Sequence, residues 1–585
     1  MLFLKVAEYF AKIEKTASRL EMTEILKNLF EEAGVEDIKK LVYLCQGGIA
    51  PKFYGLEIGL GEKFIINSIA KISGAEKEAI EKAYKEKGDL GIVAEEFLKQ
   101  KKQKALFAES LTVKSVYENL QKCAKLSGEK SQDIRIKYFS KLLNSAKPLE
   151  ARYICRIPLG NLRLGIGDPT IMDALALLFA KSDEEKHKFR EIIENAYNIH
   201  SDLGSIAELL KKEGIEAVRN IKIKVGVPIR PTLAERLSSA EEIIGKIGEC
   251  IVEAKYDGFR LQIHKSGEKI TIFSRHSENV TFMFPEIVDA AKKQIAADEA
   301  ILEGEAIAFN EEAKQFYPFQ VTITRKRKYG IEDIAKEIPL KLFVFDIMYK
   351  DGRNLMDLSF KARRQILENT IKEGDVIMLT DYIIAHNAKE IEDYFNECIE
   401  KGLEGIIAKD MNAKYIAGAR KFAWIKLKRS YKHELQDTID GVILGYYKGK
   451  GKRTQFGVGA LLIGCYDTEE DKFKTIAKLG SGLTEEQLKE LEKMLEKIKL
   501  EKKSPRVDST IEPDIWVEPK YVIEIAADEI TKSPLHTCAL KKLGFGLALR
   551  FPRLVRFREK IAEESTAEDE IIKMFESQFK REKIK

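Results

Sequence analysis

A proline- and glycine-rich segment divides the chain into parts with different hydrophobic patterns. Lys224–Thr232 reads KVGVPIRPT, with two prolines and a glycine within six residues, which is typical of a linker or the start of a domain. Before it, up to about residue 215, apolar residues recur at helical spacing, as in Phe3, Val6, Phe10 and Ile13. After it, strand-like runs begin. Because these patterns cannot belong to one uniform fold, we predict a multidomain protein.

Three regions with distinct patterns predict three domains. Residues 1–220 are expected to form an all-α domain, in which Ser18 and Asp168 cap helices. Residues 228–430 alternate strands with helices and predict an α+β domain with antiparallel sheets. Residues 431–585 contain five short strand patterns and one interposed helix. This favours an OB-type β-barrel, followed by a charged C-terminal helix at Lys560–Lys585.

Composition narrows the class of protein. The chain has 585 residues, 44% of them hydrophobic, so it can bury several cores, and its net charge of +5 does not by itself demand a nucleic acid. The seven cysteines form no C-x-x-C pair, which argues against a local zinc module and for a reducing compartment. We expect no signal peptide and no membrane span, and therefore a cytoplasmic protein.

The most informative motif is K-x-D-G-x-R, which begins at Lys255. A lysine amine attacks phosphorus only when neutral, yet its ordinary pKa of ~10.4 leaves well under about 0.1% neutral at pH 7. Burial or neighbouring cations are therefore expected to lower that pKa. Asp257 and Gly258 suit a tight turn after a strand, which returns Arg260 beside the lysine as a cation for a phosphate or ribose.

Downstream of this motif, acidic and aromatic residues lie within the predicted strands or at their ends. Glu303 and Glu305 share one face of an apolar strand, because side chains alternate along a strand. A buried carboxylate requires a cation or metal, and Glu404 repeats this pattern. Phe345 offers an aromatic plane on which a base can stack. An exposed edge strand and a plain core phenylalanine remain open as structural alternatives.

Cationic residues form a second group of candidates. Arg275 follows a strand and suits a ribose or phosphate. Further cations lie in the segments IAGARKFAWIKLK and LRFPRLVR: Arg420, Lys426, Lys428, Arg550 and Arg553. The two lysines face one side of a strand, where they are expected to depress the pKa of Lys255 and hold an α-phosphate. The last two arginines suit a triphosphate tail. A solvated basic surface is the structural alternative for each.

Seven motifs follow one another along the chain: K-x-D-G-x-R, S-R, E-G-E, F-D-x-x-Y, E-G-x-x-x-K, W-x-K-x-K and R-F-P-R-x-x-R. This ordered series resembles that of the covalent nucleotidyltransferases. The chain closely resembles an ATP-dependent DNA ligase of the archaeal and eukaryotic replicative type, over nearly its whole length. Arg156–Ala176 looks like the DNA-binding module of that family. Arg556–Lys560 departs from the family, in which Asp often precedes the final Lys.

The resemblance implies a role for each candidate. Lys255 becomes adenylated, Glu253 binds the adenine edge, and Phe345 stacks on adenine. Arg260 and Arg275 hold ribose and phosphate groups. Glu305 and Glu404 contact the ribose or Mg²⁺. The α-phosphate is bound by Arg420, Lys426 and Lys428. Arg550 and Arg553 orient the leaving pyrophosphate.

The resemblance also implies the reaction and its partners. Such an enzyme uses ATP and Mg²⁺ to seal nicks in double-stranded DNA during replication, repair and recombination. We expect a monomer, and the sequence leaves a sliding-clamp partner open. Contacts to DNA phosphates are predicted at Lys99–Lys104, Arg325–Lys328 and Lys448–Arg453.

Three other functions fit the sequence less well. An RNA ligase or capping guanylyltransferase shares the Lys255 motif, but the helical first 215 residues and the C-terminal motifs fit those enzymes poorly. An NAD-dependent DNA ligase carries a cysteine zinc module, which this sequence lacks. A DNA-binding scaffold with a decayed site is disfavoured because the motifs are intact.

Overall fold

Three regions of different secondary structure follow one another: helical, mixed, and strand-rich. The structure is a computed structural model. It describes residues 1–100, 109–126, 131–310, 315–317, 319–327, 330–372, 374–401, 403–428, 438–448, 457–480, 483–527, 529–550 and 552–582. Parts of the three predicted DNA-contact segments lie outside these ranges. Within them, no helix is both long and apolar enough to cross a membrane. The predicted domain boundaries stay predictions.

The N-terminal region is helical up to Arg219. Its described helices are α1 Phe3–Ile13, α2 Arg19–Glu32, α3 Val35–Cys45, α4 Glu62–Ser73, α5 Lys77–Lys87, α6 Leu90–Lys99, α7 Val113–Lys125, α8 Ser131–Ser145, α9 Pro148–Arg156, α10 Asp168–Phe179, α11 Asp183–Ile199, α12 Leu203–Glu213 and α13 Ile215–Arg219. Short 3₁₀ turns lie at Lys52–Tyr54 and Ile157–Leu159. The helices enclose one apolar core, to which α1 contributes the face predicted from its spacing.

The two predicted helix caps have different outcomes. Ser18 caps α2, because its hydroxyl accepts a hydrogen bond from the backbone N–H of Glu21. The prediction for Asp168 is wrong, since Gly167 is the cap residue and Asp168 is already helical. The Asp168 carboxylate is occupied elsewhere: it accepts hydrogen bonds from the Tyr197 hydroxyl, at 2.6 Å, and from the Gln46 amide, at 2.8 Å.

The central region alternates strands and helices. Its elements are β1 Leu233–Arg236, α14 Ala240–Ile247, β2 Cys250–Lys255, β3 Phe259–Ser266, β4 Lys269–Ser274, α15 Pro285–Gln294, β5 Glu299–Asn310, β6 Gln315–Phe316, α16 Phe319–Thr322, α17 Ile331–Glu337, β7 Leu340–Lys350, β8 Arg353–Asn354, α18 Phe360–Glu368, β9 Ile377–Leu379, β10 Tyr382–Ala385, α19 Ala388–Glu400, β11 Gly405–Asp410 and β12 Arg420–Lys428. The alternation of strands and helices predicted for this region is therefore present.

These strands form two sheets. One has the order β4-β3-β5-β7-β8, with β6 beside β5 and β9 beside β7. The other has the order β1-β12-β11-β2-β10. All pairs are antiparallel except β1 with β12 and β7 with β9. Separate apolar clusters lie under the two sheets, so each sheet has its own core.

The C-terminal region is rich in strands. Its elements are β13 Ile439–Lys448, β14 Val458–Asp467, β15 Lys472–Leu479, α20 Glu485–Glu496, β16 Lys499–Leu500, β17 Val507–Asp508, β18 Ile515–Val517, β19 Val522–Ala526, β20 Glu529–Ser533, α21 Leu540–Leu543, β21 Gly546–Arg550, β22 Arg553–Arg558 and α22 Glu568–Glu582. The sheet order is β16-β18-β13-β14-β15-β17, and β19 joins β13 to β22. A separate hairpin pairs β20 with β21.

Two expectations for this region are corrected. The described residues contain more strands than the five predicted, because two-residue strands such as Lys499–Leu500 are too short to show alternation. The last helix begins at Glu568 rather than Lys560. A 3₁₀ turn at Ala562–Glu564 precedes it, and Thr566 exchanges two hydrogen bonds with Asp440 on β13, which hold the chain against the sheet at that point.

Candidate active site

A cavity of about 230 Å³ lies between the two sheets of the central region. It collects residues that are far apart in the sequence. Those of the predicted site that line it are Glu253, Lys255, Arg260, Arg275, Glu305, Phe345, Glu404, Lys426 and Lys428. Arg420 begins β12, but its side chain lies outside the described part of the chain.

The register of three strands explains why one wall is cationic. Gly405 on β11 pairs with Lys255 on one side and with Lys428 on the other. Two residues further along β11, Ile407 pairs with Glu253 and Lys426 in the same way. Because residues in register on neighbouring strands share a face, these side chains point into the cavity together.

Glu404 bridges the two lysines that flank it. Its carboxylate forms ion pairs with the ammonium groups of Lys255 and Lys428, and its N–H donates to the Lys255 carbonyl at 3.0 Å. Burial alone raises the pKa of Glu404, but the two lysines outweigh it and hold that pKa well below its ordinary value. The nucleophile predicted from the sequence is therefore held by a carboxylate, a contact that strand patterns did not reveal.

Arg260 is fixed by contacts at both ends of its guanidinium group. It donates to a carboxylate oxygen of Glu303 at 2.7 Å and to the Thr232 carbonyl at 2.7 Å. Tyr415 donates to the same Glu303 oxygen at 2.8 Å. Glu303 is only 1% exposed, so the buried acid has the cationic partner that its burial requires.

Glu305 faces the cavity in a different environment. One carboxylate oxygen accepts a hydrogen bond from the backbone N–H of Gly258 at 3.2 Å. Burial raises the pKa of Glu305 to about 7, although Lys255 and Arg260 act in the opposite direction. Glu305 and Glu404 together place two carboxylates on one cavity, a donor set that suits Mg²⁺ completed by phosphate oxygens.

One end of the cavity, the aromatic end, is built from the rings of Phe345 and Trp424. Phe345 and Trp424 meet edge to face, with centroids 5.8 Å apart. The ammonium of Lys409 lies 4.1 Å from the Trp424 ring centroid and pairs with Glu253 at 2.6 Å. Lys409 ends the motif E-G-x-x-x-K and Trp424 begins W-x-K-x-K, but neither was predicted as a site residue. Alternation along β11 from Gly405 would have placed Lys409 on the cavity face.

The C-terminal region closes one side of the cavity. Arg558, Glu559 and Lys560 contribute to its lining. Glu564 forms an ion pair with Arg275 at 3.0 Å, and Glu559 forms one with Lys326 at 3.3 Å. The predicted cations of this region lie elsewhere, since Arg550 and Arg553 are exposed on β21 and β22 and are absent from the described lining.

A larger cavity of about 2400 Å³ extends between all three regions. The N-terminal segment predicted as a DNA-binding module contributes Gly160, Arg163 and Gly165 to its lining. Arg163 adopts φ 58°, and its guanidinium donates to the Gly88 carbonyl at 2.7 Å. This loop therefore has a fixed conformation on the wall of the cavity.

Comparisons with known proteins decide the family. Three family models match in order along the chain: "DNA ligase N terminus" at residues 2–176, "ATP dependent DNA ligase domain" at 231–428, and "ATP dependent DNA ligase C terminal region" at 454–561. The chain belongs to the ATP-dependent DNA ligase family. A probable DNA ligase of Dictyoglomus turgidum is 49% identical over 100% of this chain and 99% of its own length. DNA ligases of Nitrosopumilus maritimus and Sulfurisphaera tokodaii are each 44% identical, over 99% of this chain and 99% and 98% of their own.

The placement of cations in this ligase leads to a testable ranking. Lys560→Ala is expected to slow self-adenylation by about 10²-fold, the size of effect seen when one charge-stabilising group is removed from a reaction site. Arg550→Ala is expected to have a much smaller effect on this step, because its side chain is exposed away from the cavity. Single-turnover labelling with ATP measures both rates. The opposite ranking would restore the triphosphate role predicted for Arg550 and Arg553.

Proposed function

We propose that the chain seals nicks in duplex DNA through three phosphoryl transfers, with Lys255 as the nucleophile of the first. The observation that carries the proposal is the position of Lys255 in a cavity with aromatic rings at one end and cations along its wall. That combination suits a purine nucleotide bound by its base and its phosphates. The names of its relatives favour DNA over the RNA-directed alternative.

Each transfer makes one phosphorus bond and breaks another. The neutral amine of Lys255 attacks the α-phosphorus of ATP; a P–N bond forms, the bond to pyrophosphate breaks, and the amine loses a proton. An oxygen of the DNA 5′-phosphate then attacks the same phosphorus; a P–O bond forms, the P–N bond breaks, and the lysine nitrogen takes up a proton as it leaves. The 3′-hydroxyl finally attacks the 5′-phosphorus, loses its proton and expels AMP. Lys426 and Lys428 are proposed to stabilise the charge that develops at the α-phosphate.

Two carboxylates are proposed to hold Mg²⁺. Glu305 and Glu404 face the same cavity and offer hard oxygen ligands, which this ion prefers together with substrate phosphates. The ion supplies neutralisation of phosphate charge when bound. The described residues contain no cluster of three or more His, Cys, Asp or Glu side chains suited to a metal, so phosphate oxygens are needed to complete this site.

The remaining proposals concern architecture and partners. The C-terminal sheet, antiparallel except for the pair β15 and β17, suits an OB-type barrel together with α20. The cavity between the three regions suits a nicked duplex gripped through its phosphates. We propose a cytoplasmic monomer, with ATP as cofactor, that serves replication, repair and recombination. A sliding clamp is a proposed partner.

Intact-mass measurement and nick sealing test the proposal together. The full chain is mixed with Mg²⁺ and either ATP, GTP or NAD⁺, and a mass increase of one AMP is expected with ATP. The adenylated protein is then given a nicked DNA duplex, a nicked duplex with RNA strands, or a triphosphate-ended RNA. Sealing of nicked DNA supports the proposal. Preferential reaction with the RNA substrates would favour the RNA-directed alternative.

The raised pKa of Glu305 predicts a pH dependence of stability. The folded protein binds this proton more tightly than the unfolded chain, so its contribution to stability is lost as pH rises from about 4.5 through 7. The full loss is at most about 3–4 kcal/mol. Thermal unfolding of wild type and Glu305→Gln without nucleotide or Mg²⁺ measures it. The variant is expected to lose less stability over this range, and identical pH profiles would contradict the prediction.

A further inference from the structure

A buried cluster of charges lies at the aromatic end of the cavity, beside Phe345 and Trp424. Glu253 is 2% exposed, and each of its carboxylate oxygens has a cationic partner. Oε2 lies 2.6 Å from the Lys409 ammonium, and Oε1 lies 3.2 Å from the Arg364 guanidinium. Lys409 also donates to the carbonyl of Phe345, the aromatic residue of the same end, at 3.3 Å. The acid is thus held from two sides.

The two cations occupy different positions relative to the cavity. Lys409 lines it beside Glu253, whereas Arg364 comes from α18 and lies behind Glu253, outside the cavity. The Arg364 guanidinium is itself held on three sides. It donates to the Thr380 carbonyl at 2.9 Å, pairs with Glu368 at 2.9 Å, and lies 4.5 Å from the centroid of the Tyr382 ring. Arg364 can therefore reach a bound nucleotide only through Glu253.

Purines differ in what they present at this end of the cavity. Adenine carries an amino group at position 6, which donates, next to a ring nitrogen that accepts. Guanine reverses both, with a keto oxygen that accepts next to a ring N–H that donates. An ionised carboxylate only accepts and an ammonium only donates, so the position of Glu253 relative to Lys409 decides which purine is matched. A Glu253 carboxylate that was free to rotate could accept from the amino group of adenine or from the ring N–H of guanine.

We propose that Arg364 is a positioning residue for purine selection, which holds the Glu253 carboxylate where it accepts from a 6-amino group and opposes a 6-keto group. This inference rests on the proposed use of ATP and adds the residue that makes the site prefer adenine. A site built around one hydrogen-bonding pattern rejects the wrong partner strongly, because a mismatched buried polar group remains without a bond.

The charges around Glu253 are consistent with this role. Burial raises the pKa of Glu253, and Asp346 on β7 adds to that effect, while Lys409 on β11 and Arg364 act against it. Tyr382 on β10 also faces Glu253. Loss of Arg364 therefore favours the protonated acid, whose O–H is a donor suited to a keto oxygen. Both loss of position and loss of charge weaken the preference for adenine.

The test compares self-adenylation with self-guanylation in the full chain. Wild type, Arg364→Gln and Arg364→Lys are labelled with α-³²P ATP or GTP, and kcat and KM are measured for each nucleotide. For Arg364→Gln the ratio of kcat/KM for ATP over GTP is expected to fall by at least about tenfold, mainly through a higher KM for ATP. Arg364→Lys keeps a cation at the site and is expected to retain part of the ratio.

Glu368→Gln is the matched control, because it removes another ion pair of the same guanidinium without touching Glu253. In this variant the ratio of kcat/KM for ATP over GTP is expected to stay within about twofold of wild type, because a partly exposed ion pair contributes little. If thermal unfolding shows that Arg364→Gln is not folded, the test is made with Arg364→Lys instead. An Arg364→Lys ratio equal to wild type would then overturn the inference.

Two results separate this inference from the proposed function. Equal losses with ATP and GTP in the Arg364 variants leave the ratio unchanged, assign Arg364 a purely structural role and overturn the inference alone. A wild type that takes no label from ATP overturns the proposed function, and with it the inference. A fallen ratio in Arg364→Gln, together with an unchanged ratio in Glu368→Gln, supports the inference.

Discussion

Replacement of Lys255 by arginine or alanine is expected to abolish the covalent adduct between protein and AMP. Arginine keeps a cation beside Glu404, but its guanidinium stays protonated at any accessible pH and cannot attack phosphorus. Alanine removes the group altogether. The rate of self-adenylation is expected to fall by at least about 10⁴-fold, as when other enzymes lose their nucleophile. Intact mass after incubation with ATP and Mg²⁺ measures the adduct directly.

Two controls show that the loss is chemical. A nick that already carries a 5′-adenylate needs no nucleophile from the protein, so both variants are expected to seal it with a much smaller loss. Lys269→Ala removes an exposed lysine on β4 and is expected to behave as wild type. Wild-type amounts of adduct in Lys255→Arg would show that another side chain is the nucleophile. Loss of DNA affinity together with the adduct would point to a folding defect.

The secondary structure of the catalytic region was largely predictable because its strands are long. Apolar runs such as Ala300–Phe309 and Leu340–Tyr349 exceed the length at which alternation is clear, and they match β5 and β7 within a residue or two at each end. The C-terminal region was harder. Its sheet includes strands of two or three residues, such as β16 and β17, which exist only because neighbouring strands offer hydrogen bonds.

The candidate site was predictable where the chemistry lies within one strand or one motif. Lys255 and Glu305 stand out in local motifs, whereas the role of Phe345 came from the family resemblance, and the structure brings all three to one cavity. Contacts that depend on distant segments were not predictable. The pairing of Lys255 with Glu404 joins the end of β2 to the residue just before β11, and the approach of Lys560 depends on how the C-terminal region docks.

Gly258 shows how a correct residue can have an incorrect explanation. The sequence suggests a turn that needs glycine for its backbone conformation, but Gly258 is not among the glycines with positive φ. Its lack of a side chain serves a close approach instead. A Cβ at this position would overlap the backbone carbonyl of Ala306 on β5. The requirement for glycine therefore comes from strand packing, which a single motif does not encode.

Gly258→Ala is consequently expected to damage catalysis without removing any reactive group. The methyl group must push β3 away from β5. This movement displaces the turn that follows Lys255 and the backbone N–H of Gly258, which donates a hydrogen bond to Glu305. Such overpacking costs about 1–3 kcal/mol of stability. A displacement of about 1 Å at a reaction site can cost about 10²-fold in rate, so self-adenylation is expected to fall by that order. Thermal unfolding and single-turnover labelling measure the two effects.

Gly245→Ala provides the matched substitution, because this glycine lies in α14 and an added Cβ would meet no atom within 4 Å. There the methyl group is expected to stabilise the protein by about 0.5–1 kcal/mol, since alanine loses less conformational freedom in a helix. A Gly258→Ala protein with wild-type labelling and stability would show that β3 and β5 separate at little cost. The close approach would then not be what places Lys255.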